Sequence, residues 1–288
     1  MAYLKMQDGA NIFYLDEGKG QPVLLAHGWK ASSKVYEGTS LRLRDEFRCI
    51  RYDQCGHLRS SAPKTDVKIC DLGAHLRQLV TALCKEKPVL VGWSMGAATV
   101  MEYLRQYGCG EIAGVVLVDY PPRMRNDETW RFGRDDGTMT DEMMQRRFAL
   151  IDTDFHAFIY DYYLRTNVDF PDMSEAERLQ MIDERMQGHD PKILASLWKD
   201  INMQDFRDVL PALTVPTAIF YADRKPVCSQ GAAEYYARTI PGGAKLVKFD
   251  GASHALISEQ PDRFAQELRS FLHEIMQQNS SLRGDSSI

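Results

Sequence analysis

Over the first 120 positions, short apolar runs alternate with longer stretches whose apolar residues recur at helical spacing. Val23 to His27, Phe47 to Tyr52, Pro88 to Trp93 and Ile112 to Tyr120 are the runs, carrying segments such as Val89-Leu90-Val91 and Val115-Val116-Leu117-Val118. Runs of this kind are the mark of strands covered on both faces. Between them the spacing predicts helices over 34–46, 66–86 and 95–107. Strand and helix in alternation predict an α/β fold, a mostly parallel central sheet with helices on both faces. Tyr3 to Tyr14, with Gly9 near its middle, reads as an antiparallel hairpin at the sheet edge.

After Pro121-Pro122 the pattern changes. Residues to about 206 are rich in Met, Arg, Asp and aromatics, keep a helical period and lack a buried strand. The sheet pattern resumes with Val215 to Tyr221, a helix near 229–239 and Ala244 to Phe249. A last amphipathic helix starts after Pro261, with Phe264, Leu268, Phe271, Leu272 and Ile275 on one face. The division expected is a core of residues 1–122 and 207–288 and a helical cap of 123–206. The polar tail from Asn279 is expected to fray, and its Arg283-Gly284-Asp285 tripeptide is read as a chance adhesion-like match.

Composition narrows the function. With 44% hydrophobic, 26% charged and 10% aromatic residues among 288, disordered and fibrous classes are excluded. A net charge of -5 with no basic run argues against nucleic acid and membrane surfaces, leaving a small molecule as the expected partner. The six cysteines form no C-x-x-C and no close pair, so neither a disulfide framework nor a thiolate zinc site is expected. Lys5, Gln7 and Asp8 interrupt the place of a signal peptide, and a cytoplasmic location is expected. There is no H-E-x-x-H, no Walker loop and no Rossmann glycine fingerprint, so no metal or cofactor is implied.

The sharpest motif is Gly92-Trp93-Ser94-Met95-Gly96, set where an apolar strand gives way to a small-residue helix at Ala97-Ala98. G-x-S-x-G in that context is a nucleophile elbow: the glycines allow a strained turn that exposes the serine hydroxyl at a helix N-terminus. Together with His27-Gly28-Trp29, Gly251-Ala252-Ser253-His254 and Tyr52 to Ser61, the chain resembles the α/β-hydrolase superfamily over nearly its full length. The usual form of the Tyr52–Ser61 stretch has Arg and Gly where Cys55 and Leu58 stand here. Asp53, His57 and Arg59 are read as residues that staple this loop.

A serine hydroxyl needs a base, and the base needs an orienting acid. Of seven histidines, His254 occupies the histidine-loop position that the resemblance implies, while His27 reads as structural. Two aspartates at strand ends compete as the acid. Asp223 follows the strand after the insertion, the commoner place, but counting from Val215-Pro216-Thr217 the acid's position falls on Lys225. Asp119 ends the strand after the elbow helix, where some relatives, including cofactor-free quinolone dioxygenases, keep theirs. Asp119 is favoured and Asp223 stays the alternative. The resemblance places the oxyanion hole at the backbone N–H groups of Met95 and Trp29.

The function expected is hydrolysis of a carboxylic ester, lactone or thioester of a small, apolar or aromatic substrate through an acyl-enzyme. The insertion offers Trp130, Phe132, Phe148, Phe155, Phe158, Tyr160, Tyr162, Tyr163 and Trp198, of which two to four are expected at the cavity. Arg123 and Arg125, beside the cap entrance, are read as solvated surface charge in preference to a draw for an anionic substrate. Two other readings stay open: cofactor-free dioxygenation of a hydroxyquinolone, and a non-catalytic ligand receptor on the same fold. Oligomeric state is not legible.

Overall fold

The computed structural model describes residues 2–134 and 138–284. β1 (Ala2–Lys5) and β2 (Asn11–Glu17) pair antiparallel around a turn in which Gly9 adopts φ 96°, a left-handed value that strains any residue with a Cβ. They form the edge of one sheet completed by β3 (Pro22–Ala26), β4 (Arg48–Tyr52), β5 (Val89–Trp93), β6 (Gly114–Val118), β7 (Thr217–Ala222) and β8 (Lys245–Phe249). Their order is β1-β2-β4-β3-β5-β6-β7-β8. β2 meets β4 antiparallel, and every pairing from β4 to β8 is parallel.

Side-chain alternation sorts the core into two layers. Leu24, Leu90, Leu117 and Ile219 point to one face, and Val23, Leu25, Val91, Val116 and Phe220 to the other. α2 (Ile69–Leu83) and α3 (Met95–Tyr107) cover the first face, while α1 (Glu37–Leu43) lies on the second. The helix expected over 34–46 is broken, because Ser33–Tyr36 forms a 3₁₀ turn before α1. The break has a cause: the Ser33 N–H is tied to Asp53 at 2.8 Å, and buried Tyr36 donates its hydroxyl to Ala26 O at 3.3 Å.

Between β6 and β7 the chain forms α4 (Asp141–Thr153), α5 (Phe155–Thr166), α6 (Glu175–Met186) and α7 (Pro191–Met203). It leaves and rejoins the sheet through a neck. Phe206 N–H donates to Pro122 O at 2.8 Å, and Arg123 and Asp205 form an isolated antiparallel bridge. Tyr120, the residue before the neck, is held twice: its hydroxyl donates to Ile201 O at 3.0 Å, and its carbonyl accepts from the Tyr236 hydroxyl at 3.1 Å.

α8 (Gln230–Thr239), α9 (Leu256–Glu259) and α10 (Pro261–Gly284) finish the chain. α10 buries Phe264, Leu268, Phe271, Leu272 and Ile275 on the second face, as the spacing predicted, each burial contributing about 1.5–3 kcal/mol. The helix runs on to Gly284 rather than ending at Asn279. Asp285 of the Arg283-Gly284-Asp285 tripeptide lies outside the described residues.

Candidate active site

Strand order reverses between β3 and β5, which carry their successors to opposite sides, and ligands of open α/β sheets collect at such switch points. Here the loop after β3 meets the turn after β5. Ser94 adopts φ 54° and ψ −119° between β5 and α3, and its strain is held by close packing. A Cβ on Gly92 would stand 2.2 Å from Gly96 O, and one on Gly96 would stand 2.0 Å from Ala26 O. No side chain fits either place: Gly92 is fixed by the elbow's own backbone and Gly96 by the contact between the elbow and the end of β3.

His254 Nε2 lies 3.0 Å from Ser94 Oγ, and its Nδ1 lies 2.6 Å from Asp119 Oδ2. With Nδ1–H donating to the carboxylate, Nε2 is free to accept the serine proton. Asp119 ends β6 at φ 47°, is fully buried, and also accepts from the N–H groups of Val227 at 3.0 Å and Cys228 at 3.1 Å. These donors and the imidazole occupy the lone pairs of a carboxylate that has no water to satisfy them. Burial, with Asp119 next to it, pushes the Cys228 thiol well up, so the neighbouring sulfur stays protonated. Trp93 holds the backbone of the histidine loop, donating Nε1–H to the main-chain carbonyl of His254 at 2.9 Å.

Asp223 is elsewhere. Its Oδ1 accepts from Gly251 N–H at 2.8 Å and its Oδ2 lies 3.5 Å from Lys248 Nζ. It pins the turn that leads to His254 and does not face the imidazole.

The Met95 N–H opens α3, where no intrahelical acceptor is available, and the described residues make no hydrogen bond to it or to the Trp29 N–H. Gly28 brings the Trp29 loop against the elbow, since a Cβ there would lie 2.9 Å from the Trp93 ring and 3.2 Å from Ser94 Cβ. Neutral histidines brace this loop. His27 Nε2 accepts from Gln54 N–H at 2.9 Å and His57 Nε2 from Lys30 N–H at 3.2 Å. Burial holds His27 down to about 4, and burial followed by the nearby histidines lowers His57 as well. Asp53 binds Arg59 at 2.6 Å and the Ser33 N–H at 2.8 Å, so the three residues of this stretch do staple the loop. Leu58, standing where the resemblance expects glycine, adopts φ 41°; left-handed backbone costs such a residue roughly 1–2 kcal/mol.

A cavity of about 270 Å³ opens over the site, bordered by Trp29, Lys30, Trp93, Tyr162, Tyr163 and His254. A cleft of about 10 Å³, room for no more than a water, lies at Ser94 between Met124, Arg134, Tyr162, Trp198, Ile201, Asn202 and Val227. Of the nine aromatics offered by the insertion, Tyr162, Tyr163 and Trp198 therefore reach the cavities. Arg123 is not solvated as expected: it is buried and paired with Asp127 at 2.6 Å, while Arg125 pairs with Asp141 at 2.7 Å. Among the described residues no group of three or more His, Cys, Asp or Glu could hold a metal ion, and no helix is long and apolar enough to cross a membrane.

The model of the alpha/beta hydrolase fold matches residues 21–261. The chain belongs to the α/β-hydrolase family. This hydrolase is similar to a non-heme haloperoxidase of Rhodococcus erythropolis, at 27% identity over 94% of this chain and 99% of that one. It is similar to a bifunctional esterase/perhydrolase of Acinetobacter calcoaceticus, at 24% identity over 94% and 99%. An esterase structure from Exiguobacterium antarcticum shares the fold, with TM-score 0.79, 23% identity and coverage of 94% and 98%.

Three features of the hydrolase's site were not read from its sequence. Lys30 follows His27-Gly28-Trp29 directly, and its place in that loop was the available signal. Trp93 sits inside the elbow motif itself. The Val227 and Cys228 amides were foreshadowed only by the register that put the acid's usual position on Lys225.

Proposed function

We propose that this α/β hydrolase is a serine hydrolase that cleaves a carboxylic ester, lactone or thioester of a small, largely apolar substrate through an acyl-enzyme. Ser94 Oγ attacks the carbonyl carbon while His254 Nε2 takes its proton; Asp119 keeps the imidazole in the required tautomer and stabilises the imidazolium. The N–H groups of Met95 and Trp29 stabilise the tetrahedral oxyanion. Its collapse expels the leaving group, which takes the proton from His254, and water then repeats the sequence in reverse to free the acid. The helices of 123–206 act as a cap, and the cavity bordered by Trp29, Trp93 and Tyr162 receives the apolar part.

The observation that carries the reading is the continuous line Ser94–His254–Asp119, with hydrogen bonds of 3.0 and 2.6 Å. A fluorophosphonate probe is expected to label Ser94, and Ser94→Ala is expected to lose labelling and at least about 10⁴-fold in kcat on short-chain esters. Retained hydrolysis in Ser94→Ala would overturn it.

A further inference from the structure

One residue beyond Trp29 a buried amine stands at the mouth of the cavity. Lys30 adopts φ 58°, and only 9% of it is accessible. Its Nζ meets the Tyr163 hydroxyl on α5, with the rings of Tyr162 and Trp29 at 5.8 and 5.9 Å. Among the described residues no carboxylate forms an ion pair with it. A second cation, Arg185 on α6, borders the same cavity from an exposed position.

The acidic groups of that rim do not supply a counter-charge. Glu259 is taken up by the Ser253 N–H at 2.6 Å and the Ser253 hydroxyl at 2.5 Å. Asp169 stands exposed at the edge. The remaining titratable neighbours are Tyr162, Tyr163, His254, the buried imidazole of His57 and the half-buried one of His189, which is held down to about 4 by burial first and by nearby charges second. Burial, and then Arg185, push the Lys30 amine well below the ordinary lysine range. A buried ammonium without a counter-ion either sheds its proton or takes an anion from outside.

Resting on the serine-hydrolase reading above, we infer that this cavity takes esters that carry a carboxylate, with the scissile carbonyl at Ser94, a short apolar spacer against Trp29, Trp93 and Tyr162, and the carboxylate on Lys30 with Arg185 beside it. At about 270 Å³ the cavity is smaller than the roughly 300–1,000 Å³ of sites for drug-sized ligands, so the substrate is a small half-ester. When the carboxylate binds, Lys30 takes one proton from solvent and becomes ammonium; no other bond is made or broken in the binding step. Lys30 is a specificity residue in this account, touching the far end of the substrate.

The test compares monomethyl esters of succinic, glutaric and adipic acids with methyl butanoate, pentanoate and hexanoate, following methanol release. Wild type is expected to prefer the half-esters by at least tenfold in kcat/KM, chiefly through KM. That preference is expected to fall at least tenfold in Lys30→Met, to survive in part in Lys30→Arg, and to fall two- to fivefold in Arg185→Gln, an exposed change that leaves the fold alone. Calorimetry of monomethyl glutarate binding to Ser94→Ala, run in buffers of different ionisation enthalpy, is expected to report uptake of one proton, absent when Lys30→Met is added. Hydrolysis of the neutral esters with no preference for half-esters overturns the inference and leaves the serine-hydrolase reading standing. Proton-coupled binding in an enzyme that turns over no ester does the reverse. Binding without proton uptake, unchanged by Lys30→Met, also overturns the inference.

Discussion

The ends of β6 and β7 lie side by side and each carries an aspartate, yet they do different work. At the end of β6, Asp119 is fully buried and gathers His254 and two backbone N–H groups. At the end of β7, Asp223 is exposed and gathers Gly251 N–H and Lys248. The loop beyond β7 turns its amides, not a carboxylate, toward the site: Val227 and Cys228 donate to the neighbouring strand's acid. What decides an aspartate's role is therefore the count of donors converging on it and its shielding from water, because both alternatives begin from equivalent positions on parallel strands.

The largest test of this contrast is Asp119→Asn. It replaces an acceptor of His254 Nδ1–H by a neutral amide, and kcat on a short-chain ester is expected to fall about 10³–10⁴-fold. Adding Lys225→Asp is expected to restore nothing, since that side chain is exposed and the Val227 and Cys228 amides already fill the approach to the imidazole. Recovery of activity in the double variant would make the two strand ends interchangeable.

A third strand end sharpens the comparison through pH. His27, after β3, is held down to about 4 from its ordinary 6.5 by burial, so the unfolded chain binds a proton that the folded one refuses. Its contribution is complete above about pH 6.5 and is lost as pH falls toward 4, on the order of 3 kcal/mol from this group. Urea midpoints measured between pH 7 and 4 should drop accordingly, and His27→Gln should flatten that slope. Trp93→Phe is smaller. Loss of its hydrogen bond to His254 O is expected to cost about 1 kcal/mol of stability and roughly fivefold in kcat, read by thermal melts and ester assay. Smallest of all, Asp223→Asn keeps an oxygen for Gly251 and gives up only the Lys248 pair. Activity should stay within about twofold and stability within about 0.5 kcal/mol, with no difference left at 1 M salt.

Strands in the middle of the sheet were legible because burial on both faces writes itself as an unbroken run, as in Val89-Leu90-Val91. α10 was legible for the complementary reason, a one-sided period of 3.6 that the second face absorbs. The helix broken at Tyr36 was not, since a bond from Asp53, distant in sequence, decides where it breaks. In the site, the elbow could be read because G-x-S-x-G stands directly between an apolar strand and a small-residue helix. The sequence narrows the acid to two aspartates and favours Asp119 on register alone, because where a loop 108 residues away aims its amides is not written near either of them. Lys30 and buried Arg123 were hidden in the same way: charge reads as surface until a tertiary contact covers it.

The double anchorage of Tyr120 reaches further than its two hydrogen bonds. Asp119 is the last residue before it, and the excursion of more than eighty residues begins only past that clamp, on a pinched stalk where Phe206 grips Pro122. One of the two bonds ends on Ile201 inside that excursion, so the strand end that carries Asp119 and the helices above it are tied together through a single side chain.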